Sequence, residues 1–485
     1  MKKASIPMMI TLILATLLVN LSAGIGSPKA YAYSQSKKKS DDPPAPTLYL
    51  PLVFRNYPLV TIFGADARSQ LSKVSEAGLS WARGASVIWS QVESTEGVYD
   101  WSAYGGLDSF LVEASQKNIQ VILVVQRAPT WARKYDKACG PIRSDKLDSF
   151  ANFMVEVVRR YSVPPYNLRY FQIWNEQDAP TGVSDTLGIG CWGEQSYPGD
   201  PYYGGEYFGE LLKRVYPKVK QANAGAQVVT GALLLDCDPR EVGLGYCPSS
   251  NPSDPYHPSK WNFTEGMIKN GAAFDILAFN GYAYYEQNKS GVWKERTREK
   301  WSASGGAVDG KLDYLRSLLS KYGVNKPIML TEVGIFYENS LYDGPTTPQY
   351  EEEKADYLTY VYANTWSHGL QASIWFSLKS LSSKLLDSSN NPLPAYNALK
   401  TMTGILAQAD YKSREDNAAG YTKFVYHLGN QEIWLLIPTG EIAGTNYSVA
   451  KPSNFIKLVD IYGNEMPDPG STITFNRPTY VFLTR

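Results

Sequence analysis

FQIWNEQD at residues 171–178 and PIMLTEVG at residues 327–334 are two short runs built on one plan. Each starts with mostly apolar, β-prone residues and ends in a polar cluster that carries a glutamate, Glu176 in the first and Glu332 in the second. A strand buried on both faces reads as a nearly continuous apolar run, and chemistry at its C-terminal tip breaks that run with polar residues. The stretch between the two glutamates has room for roughly three βα units of a (β/α)8 barrel, a fold of about 250 residues or more. The expectation is a TIM barrel with these carboxylates on its fourth and seventh strands.

The flanking sequence fits that frame. Residues 62–66 (IFGAD), 79–87 (LSWARGASV) and 119–125 (IQVILVV) read as strands one to three. Residues 227–235, 274–279, 328–331 and 372–376 read as strands five to eight. Helical spacing recurs between them, at residues 107–117, 147–161, 312–321 and 352–366; the second of these places Phe150, Phe153, Met154, Val157 and Val158 on one face. Strands that alternate with helices point to a parallel β/α architecture rather than a sandwich. After residue 407 the pattern becomes short and alternating, at residues 422–427, 432–437, 456–460, 472–475 and 480–483, with a hairpin-type turn in DIYGN at 460–464. The barrel is expected over residues 58–406, followed by a small antiparallel, sandwich-like β domain over 407–485.

Ahead of the barrel, Lys2 and Lys3 precede an apolar stretch at 6–25, and Ala30-Tyr31-Ala32 supplies a small-x-small cleavage pattern. Residues 1–32 therefore read as a signal peptide, and the protein as secreted or extracellular. An uncleaved stretch would instead hold it at the cell envelope, the setting of a structural protein. Residues 33–57, with Lys37-Lys38-Lys39 and Asp41-Asp42-Pro43-Pro44, read as a linker.

Composition narrows the function. Lys+Arg and Asp+Glu are both 47 in the 485 residues, so no basic field exists to hold a nucleic-acid backbone. Tyr (35) and Trp (12) are abundant, and such flat apolar faces with a polar rim serve cores, interfaces and sugar sites alike. The three histidines, His257, His368 and His427, lack metal-ligand spacing, so no metal is expected. Neither a GxxxxGK[ST] loop nor a GxSxG elbow occurs, and no cofactor is implied. Cys139, Cys191, Cys237 and Cys247 are even in number in a chain expected to be exported, and three disulfide connectivities are open. Proximity favours Cys237 with Cys247, which leaves Cys139 with Cys191, in loops at the barrel's mouth.

Two carboxyl groups about 5 to 5.5 Å apart are what a retaining glycosidase needs, one to protonate the leaving oxygen and one to attack the anomeric carbon. Glu176, after Trp174 and Asn175, suits the acid/base if an apolar wall raises its pKa. Glu332 suits the nucleophile, kept charged by an arginine from strand two, where Arg83 lies. Asp66, Glu93, Asp178 and Asp236 could line the cleft, but surface carboxylates are common and each is more simply read as one. Trp131, after strand three, is either a sugar platform or a loop-core residue.

WNEQ at 174–177 and LTEVG at 330–334, with Arg83 upstream and Ile374-Trp375 at the eighth strand, resemble the clan A glycoside hydrolases, in flavour families 39 and 5. The resemblance covers roughly residues 58–406. It implies Glu176 as acid/base, Glu332 as nucleophile and Asn175 as the asparagine that contacts the sugar 2-hydroxyl. It likewise implies Arg83 as the strand-two arginine, Tyr282 as the tyrosine beside the nucleophile and Trp375 as the platform under the sugar. WSQVESTEGVYDW at 89–101 resembles the stretch that follows strand two in such barrels. Many relatives carry Pro where this chain has Gln177 and His where it has Asn280, a position expected to contact substrate. The implied activity is hydrolysis of a β-linked poly- or oligosaccharide. The other reading is a carbohydrate-binding protein on the same barrel without turnover. Long inserts at 179–206 and 236–261, rich in Gly, Pro and Tyr, suggest a shaped rim.

Overall fold

Among the described residues of the computed structural model, eight barrel strands alternate with eight helices, and a short strand and a one-turn helix (Trp89–Val92) are added after the second strand. The structure describes residues 60–181, 185, 188–194, 202–235, 238–240, 262–285, 301, 305–337, 346–440 and 444–485. In chain order the barrel elements are β1 (Phe63–Asp66), α1 (Leu71–Glu76), β2 (Trp81–Arg83), α2 (Gly105–Gln116), β3 (Gln120–Gln126), α3 (Leu147–Tyr161), β4 (Tyr170–Ile173) and α4 (Gly205–Ala222). They continue as β5 (Gln227–Val229), α5 (Phe263–Lys269), β6 (Leu277–Tyr285), α6 (Asp309–Lys321), β7 (Ile328–Tyr337), α7 (Pro348–Ser367), β8 (Ala372–Trp375) and α8 (Pro394–Leu406). Each strand is parallel to its neighbours, in the order β5-β4-β3-β2-β1-β8-β7-β6. The two ends of that path meet through the parallel bridges Val229↔Ile276 and Leu233↔Phe279, which close the sheet on itself. A short strand at Ser86–Ile88 continues β2 past Gly84 and pairs with β3.

Local sequence explains the elements that frame the site. Helix α3 buries Phe150, Phe153, Met154, Val157 and Val158 on one face, each worth about 1.5–3 kcal/mol of transfer free energy. Helix α7 opens on Thr347, whose Oγ1 accepts the Tyr350 amide at 3.2 Å, and on Pro348, whose missing N–H costs nothing in a first turn. No helix among the described residues is long and apolar enough to cross a membrane.

The remaining strands, β9 (Asp410–Asn417), β10 (Tyr421–Leu428), β11 (Gln431–Pro438), β12 (Tyr447–Ala450), β13 (Phe455–Val459), β14 (Glu465–Met466), β15 (Thr472–Phe475) and β16 (Thr479–Thr484), are antiparallel. Six form one sheet in the order β9-β10-β11-β16-β13-β14, while β12 and β15 form a separate pair. One face of the larger sheet, with Phe424, Tyr426, Ile433, Leu435, Tyr480 and Phe482, joins the core shared by the strands and helices of the barrel. Its other face, with Leu436, Leu458, Val481 and Leu483, packs on Tyr447, Ile473 and Phe475 of the pair. β9, β12 and β14 have no counterpart among the segments expected from sequence. DYKSREDN at β9 is an edge strand dense in charge, which protects the edge and hides the strand pattern.

Candidate active site

Successive residues of a strand point to opposite faces, so each barrel strand has an inward and an outward set. Trp81, Ile122, Tyr170, Val229, Ala278, Met329 and Ile374 fill the barrel interior as an apolar floor. Gly64 belongs there too: a Cβ on it would lie 2.5 Å from Ile374 Cδ1 and 2.6 Å from Trp81 Cβ, so only glycine leaves room for both. Two residues further along β1, β2, β4 and β6, the inward positions become Asp66, Arg83, Gln172 and Asn280. The floor gives way to a polar layer at the strands' C-terminal ends.

On β7 strict alternation from Met329 would turn Glu332 outward. The register skips a residue there, since Phe279 pairs with Leu330 but Asn280 with Glu332, and the bulge re-aims Glu332 into the barrel. Leu330 before it and Val333 and Ile335 after it face the outer core.

The polar layer is one hydrogen-bonded network. Arg83 donates through Nη1 to Glu332 Oε1, through Nε to Gln172 Oε1 at 3.1 Å and through Nη2 to Asn175 Oδ1 at 2.7 Å. The Tyr282 hydroxyl donates to Glu332 Oε2. Glu176 receives Asn280 Nδ2 at 2.8 Å on Oε1, and the amide of Asn280 is turned that way because Thr331 Oγ1 lies 3.1 Å from its Oδ1. Lys311 Nζ donates to the Asn280 carbonyl at 2.9 Å and to that of Leu234 at 2.8 Å, bracing β6 from α6. Both glutamates are buried, at 6% exposure for Glu176 and 8% for Glu332.

The two carboxylates differ in surroundings. Glu332 is met by a guanidinium and a phenol, both donors to the ionised form. Glu176 meets one neutral amide; burial and the charge of Glu332 push its pKa up to about 8. Burial and the same carboxylate hold the Tyr282 phenol well above its ordinary value, so it stays a donor.

The structure thus brings Arg83, Asn175, Glu176, Asn280, Tyr282 and Glu332 together. Gln172 and Thr331 join them without having been expected; a polar residue inside an apolar strand run was the available signal. Asn280 is completely enclosed and bonded to Glu176, so its contact is with the carboxyl group rather than with a ligand. Trp174 does not wall Glu176. It faces the helices, against Phe150 at 5.5 Å and Trp192 at 5.2 Å, with its indole N–H on Cys139 O at 2.9 Å. Trp174 and Glu176 both have positive φ, 68° and 47°, an uncommon backbone for non-glycine residues that turns the chain sharply around Asn175.

Trp375 requires a correction. It pairs with Ala65 and Val333, both outward, and is completely buried with its ring 6.1 Å from Tyr357 and its N–H on Ser383 O at 2.8 Å. Phe376, one residue on, is the half-buried aromatic that meets Tyr282, at 6.1 Å edge-to-face. Trp131 is partly exposed after β3, edge-on to Trp89 at 5.3 Å, with its N–H on Glu93 O at 3.1 Å.

Cys139 and Cys191 are bonded, joining the loops after β3 and β4, while Cys237 and Cys247 lie outside the described residues. Most of the inserts at 179–206 and 236–261 lies outside them as well. Glu93 is engaged by Trp89 Nε1 at 2.6 Å and Gly97 N at 2.8 Å, and Asp178 by the amides of Leu234 and Leu235 at 2.8 Å each. Asp236 is not among the described residues.

No family model matches this chain. No curated protein matches it either. Solved structures do. A family 39 glycoside hydrolase from the gut symbiont Bacteroides cellulosilyticus WH2 superposes with a TM-score of 0.62 at 17% identity, over 88% of this chain and 81% of its own. A glycoside hydrolase family 30 subfamily 8 xylanase from Clostridium acetobutylicum gives 0.54 at 12%, over 88% and 96%. A family 51 α-L-arabinofuranosidase from Bifidobacterium longum gives 0.51 at 13%, over 89% and 93%. The likeness shows a shared fold, a (β/α)8 barrel with a C-terminal β domain. Within that fold, the polar layer of this chain lies at the C-terminal ends of the strands, the end where barrel enzymes carry their chemistry.

Proposed function

We propose that the protein is a secreted, retaining glycoside hydrolase that cleaves a β-linked poly- or oligosaccharide by double displacement. The observation that carries this reading is the asymmetry of the two buried glutamates. Arg83 and Tyr282 converge on Glu332, whereas Glu176 receives, among the described residues, the Asn280 amide, and its pKa is raised. Two carboxyl groups whose environments push them apart in this way can divide acid and nucleophile between them at neutral pH.

In the first step the Glu332 carboxylate forms a bond to the anomeric carbon, while Glu176 gives its proton to the glycosidic oxygen as that bond breaks. The aglycone leaves as an alcohol. In the second, Glu176, now a carboxylate, takes a proton from water whose oxygen attacks the same carbon, and Glu332 departs. Because Asn175 Oδ1 is taken by Arg83, its Nδ2 remains as a donor for a sugar hydroxyl beside the reacting carbon. The export pattern at residues 1–32 supports action outside the cell.

The test is Glu332→Ala on activated aryl β-glycosides. Turnover is expected to disappear with the fold intact by circular dichroism, and azide is expected to restore cleavage with formation of a glycosyl azide. Proton NMR of the wild-type reaction should show the product first in the substrate's anomeric configuration. Unchanged turnover in Glu332→Ala would remove the nucleophile assignment, and glycan binding without any cleavage would favour a non-catalytic binding protein.

A further inference from the structure

Among the carboxylates of the polar layer, Asp66 has no settled partner. It ends β1, directly beside Arg83 in the β1–β2 register, and shares with Arg83 the inward phase set by Gly64 and Trp81 below. Only 4% of it is exposed, and its Oδ1 accepts no hydrogen bond from the described residues. Arg83 donates elsewhere, through Nε to Gln172, Nη1 to Glu332 and Nη2 to Asn175. Arg68 is the nearest other cation, with Nε 3.5 Å from Oδ1, but its side chain is 62% exposed.

The chain makes room for this carboxylate. Gly84 has φ of +100°, and a Cβ there would lie 2.8 Å from both Asp66 oxygens. Any other residue at that position would be strained in backbone and would press on the carboxylate. A buried carboxylate oxygen without a donor costs free energy, and its retention calls for a functional explanation, of which a donor supplied by a ligand is one. Burial raises the Asp66 pKa to about 6, opposed by Arg83 and Arg68 and reinforced by Glu332, so the acceptor form prevails at neutral pH.

We propose that Asp66 contacts substrate, its Oδ1 accepting a hydrogen bond from a ring hydroxyl of the sugar whose anomeric carbon faces Glu332. The hydroxyl is a different one from that held by Asn175, because Asp66 and Asn175 stand on opposite sides of the Arg83 strand, on β1 and after β4. The occupant is thus a glycosyl unit with a free hydroxyl at that ring position, and Asp66 discriminates against sugars that lack it or carry it in the other configuration. This inference rests on the glycosidase reading above.

The experiment is a cycle of kcat/KM values for a good aryl glycoside and its monodeoxy analogues with wild type, Asp66→Ala and Asp66→Asn. In the wild type, one deoxy position is expected to lose about 10- to 100-fold, the range of a hydrogen bond to a charged group. In Asp66→Ala the loss at that same position should disappear, while losses at other positions persist. Asp66→Asn is isosteric and serves if the alanine variant does not fold; it should retain part of the discrimination, with melting temperature at or above that of wild type. Identical deoxy penalties in wild type and folded variant would overturn the assignment while leaving the glycosidase reading intact. A wild-type protein that hydrolyses no glycoside would overturn both.

Discussion

The Glu176 carboxyl group titrates among groups that all bear on its proton. Burial and the neighbouring Glu332 raise its pKa, while the Asn280 amide favours the charged form and lowers it. If Glu176 is the proton donor, kcat/KM should fall as pH rises through about 8. Asn280→Ala removes a donor to the carboxylate, so the alkaline limb should move to higher pH, with a fall in rate of about 10-fold from lost positioning. A pH profile of kcat/KM checks both, and an unmoved limb would detach Asn280 from the titrating group. Stability follows with a definite sign. The folded pKa lies above the unfolded one, so the native state holds a proton that the unfolded chain releases, and stability is lost as pH climbs from about 4.5 towards 8. Glu176→Gln should flatten that loss, read as denaturation midpoints at pH 5 and pH 8. At this scale the network was legible because strand-end polar clusters interrupt apolar runs. What escaped was phase. Whether Trp375 or Phe376 faces the cleft depends on pairing with β1 and β7, and the inward turn of Glu332 depends on a bulge that no motif announces.

The elements of the barrel carry the strongest sequence signal, since α3 begins and ends where its apolar spacing does. β6 and β7 run on past the expected ends, to Tyr285 and Tyr337, because Tyr282 and Tyr284 meet Phe336, and Tyr285 stacks on Tyr337, beyond the polar layer. Sequence patterning stops at the polar cluster; the aromatic pairing that prolongs the strands is a tertiary effect. The loops after β3 and β4 show the same dependence on partners. Cys139 and Cys191, separated by 52 residues, are bonded, and the segment around them holds the turn at Trp174–Glu176 from outside. Cys139 O accepts the Trp174 indole, Gly190 N donates to Asn175 O at 2.6 Å and Trp192 N to Gln177 O at 2.8 Å. Replacing both cysteines with serine should cost about 2–4 kcal/mol of stability. It should also lower kcat at temperatures where the variant stays folded, because the turn that presents Glu176 loses its outer support. Melting curves with and without reductant, together with kcat, separate the two effects; a lower melting temperature with unchanged kcat would confine the bridge to stability.

Over the whole molecule, the C-terminal sheet supplies one wall of the barrel's core rather than standing apart from it. The described residues lie in a single compact unit, Tyr57–Arg485. Tyr426 meets Trp366 of α7 at 5.2 Å, and Phe424, Ile433, Leu435 and Tyr480 extend the same apolar cluster as Tyr357, Val361 and Met402. Around that contact, Arg477, just before β16, grips α7. Its Nε lies 3.0 Å and its Nη2 2.6 Å from Asp356 Oδ1, and its Nη1 reaches Glu352, which also receives the Tyr462 hydroxyl. Alternation in the sequence marked the sheet but not its inner face, because both faces are apolar: one meets the barrel and the other the β12–β15 pair. Two consequences differ in size. Arg477→Ala leaves the buried Asp356 carboxylate without its cation, at a cost of about 1–3 kcal/mol, and should lower the melting temperature while unfolding remains a single transition. A chain ended after Leu406 would expose the helix face under Phe424, Tyr426 and Leu435, an apolar patch too large for a monomer to leave in water. That truncated barrel should aggregate or fail to fold even though every residue of the polar layer is retained. Recovery of a soluble, active barrel from it would show that the sheet is an appendage and that the shared core is dispensable.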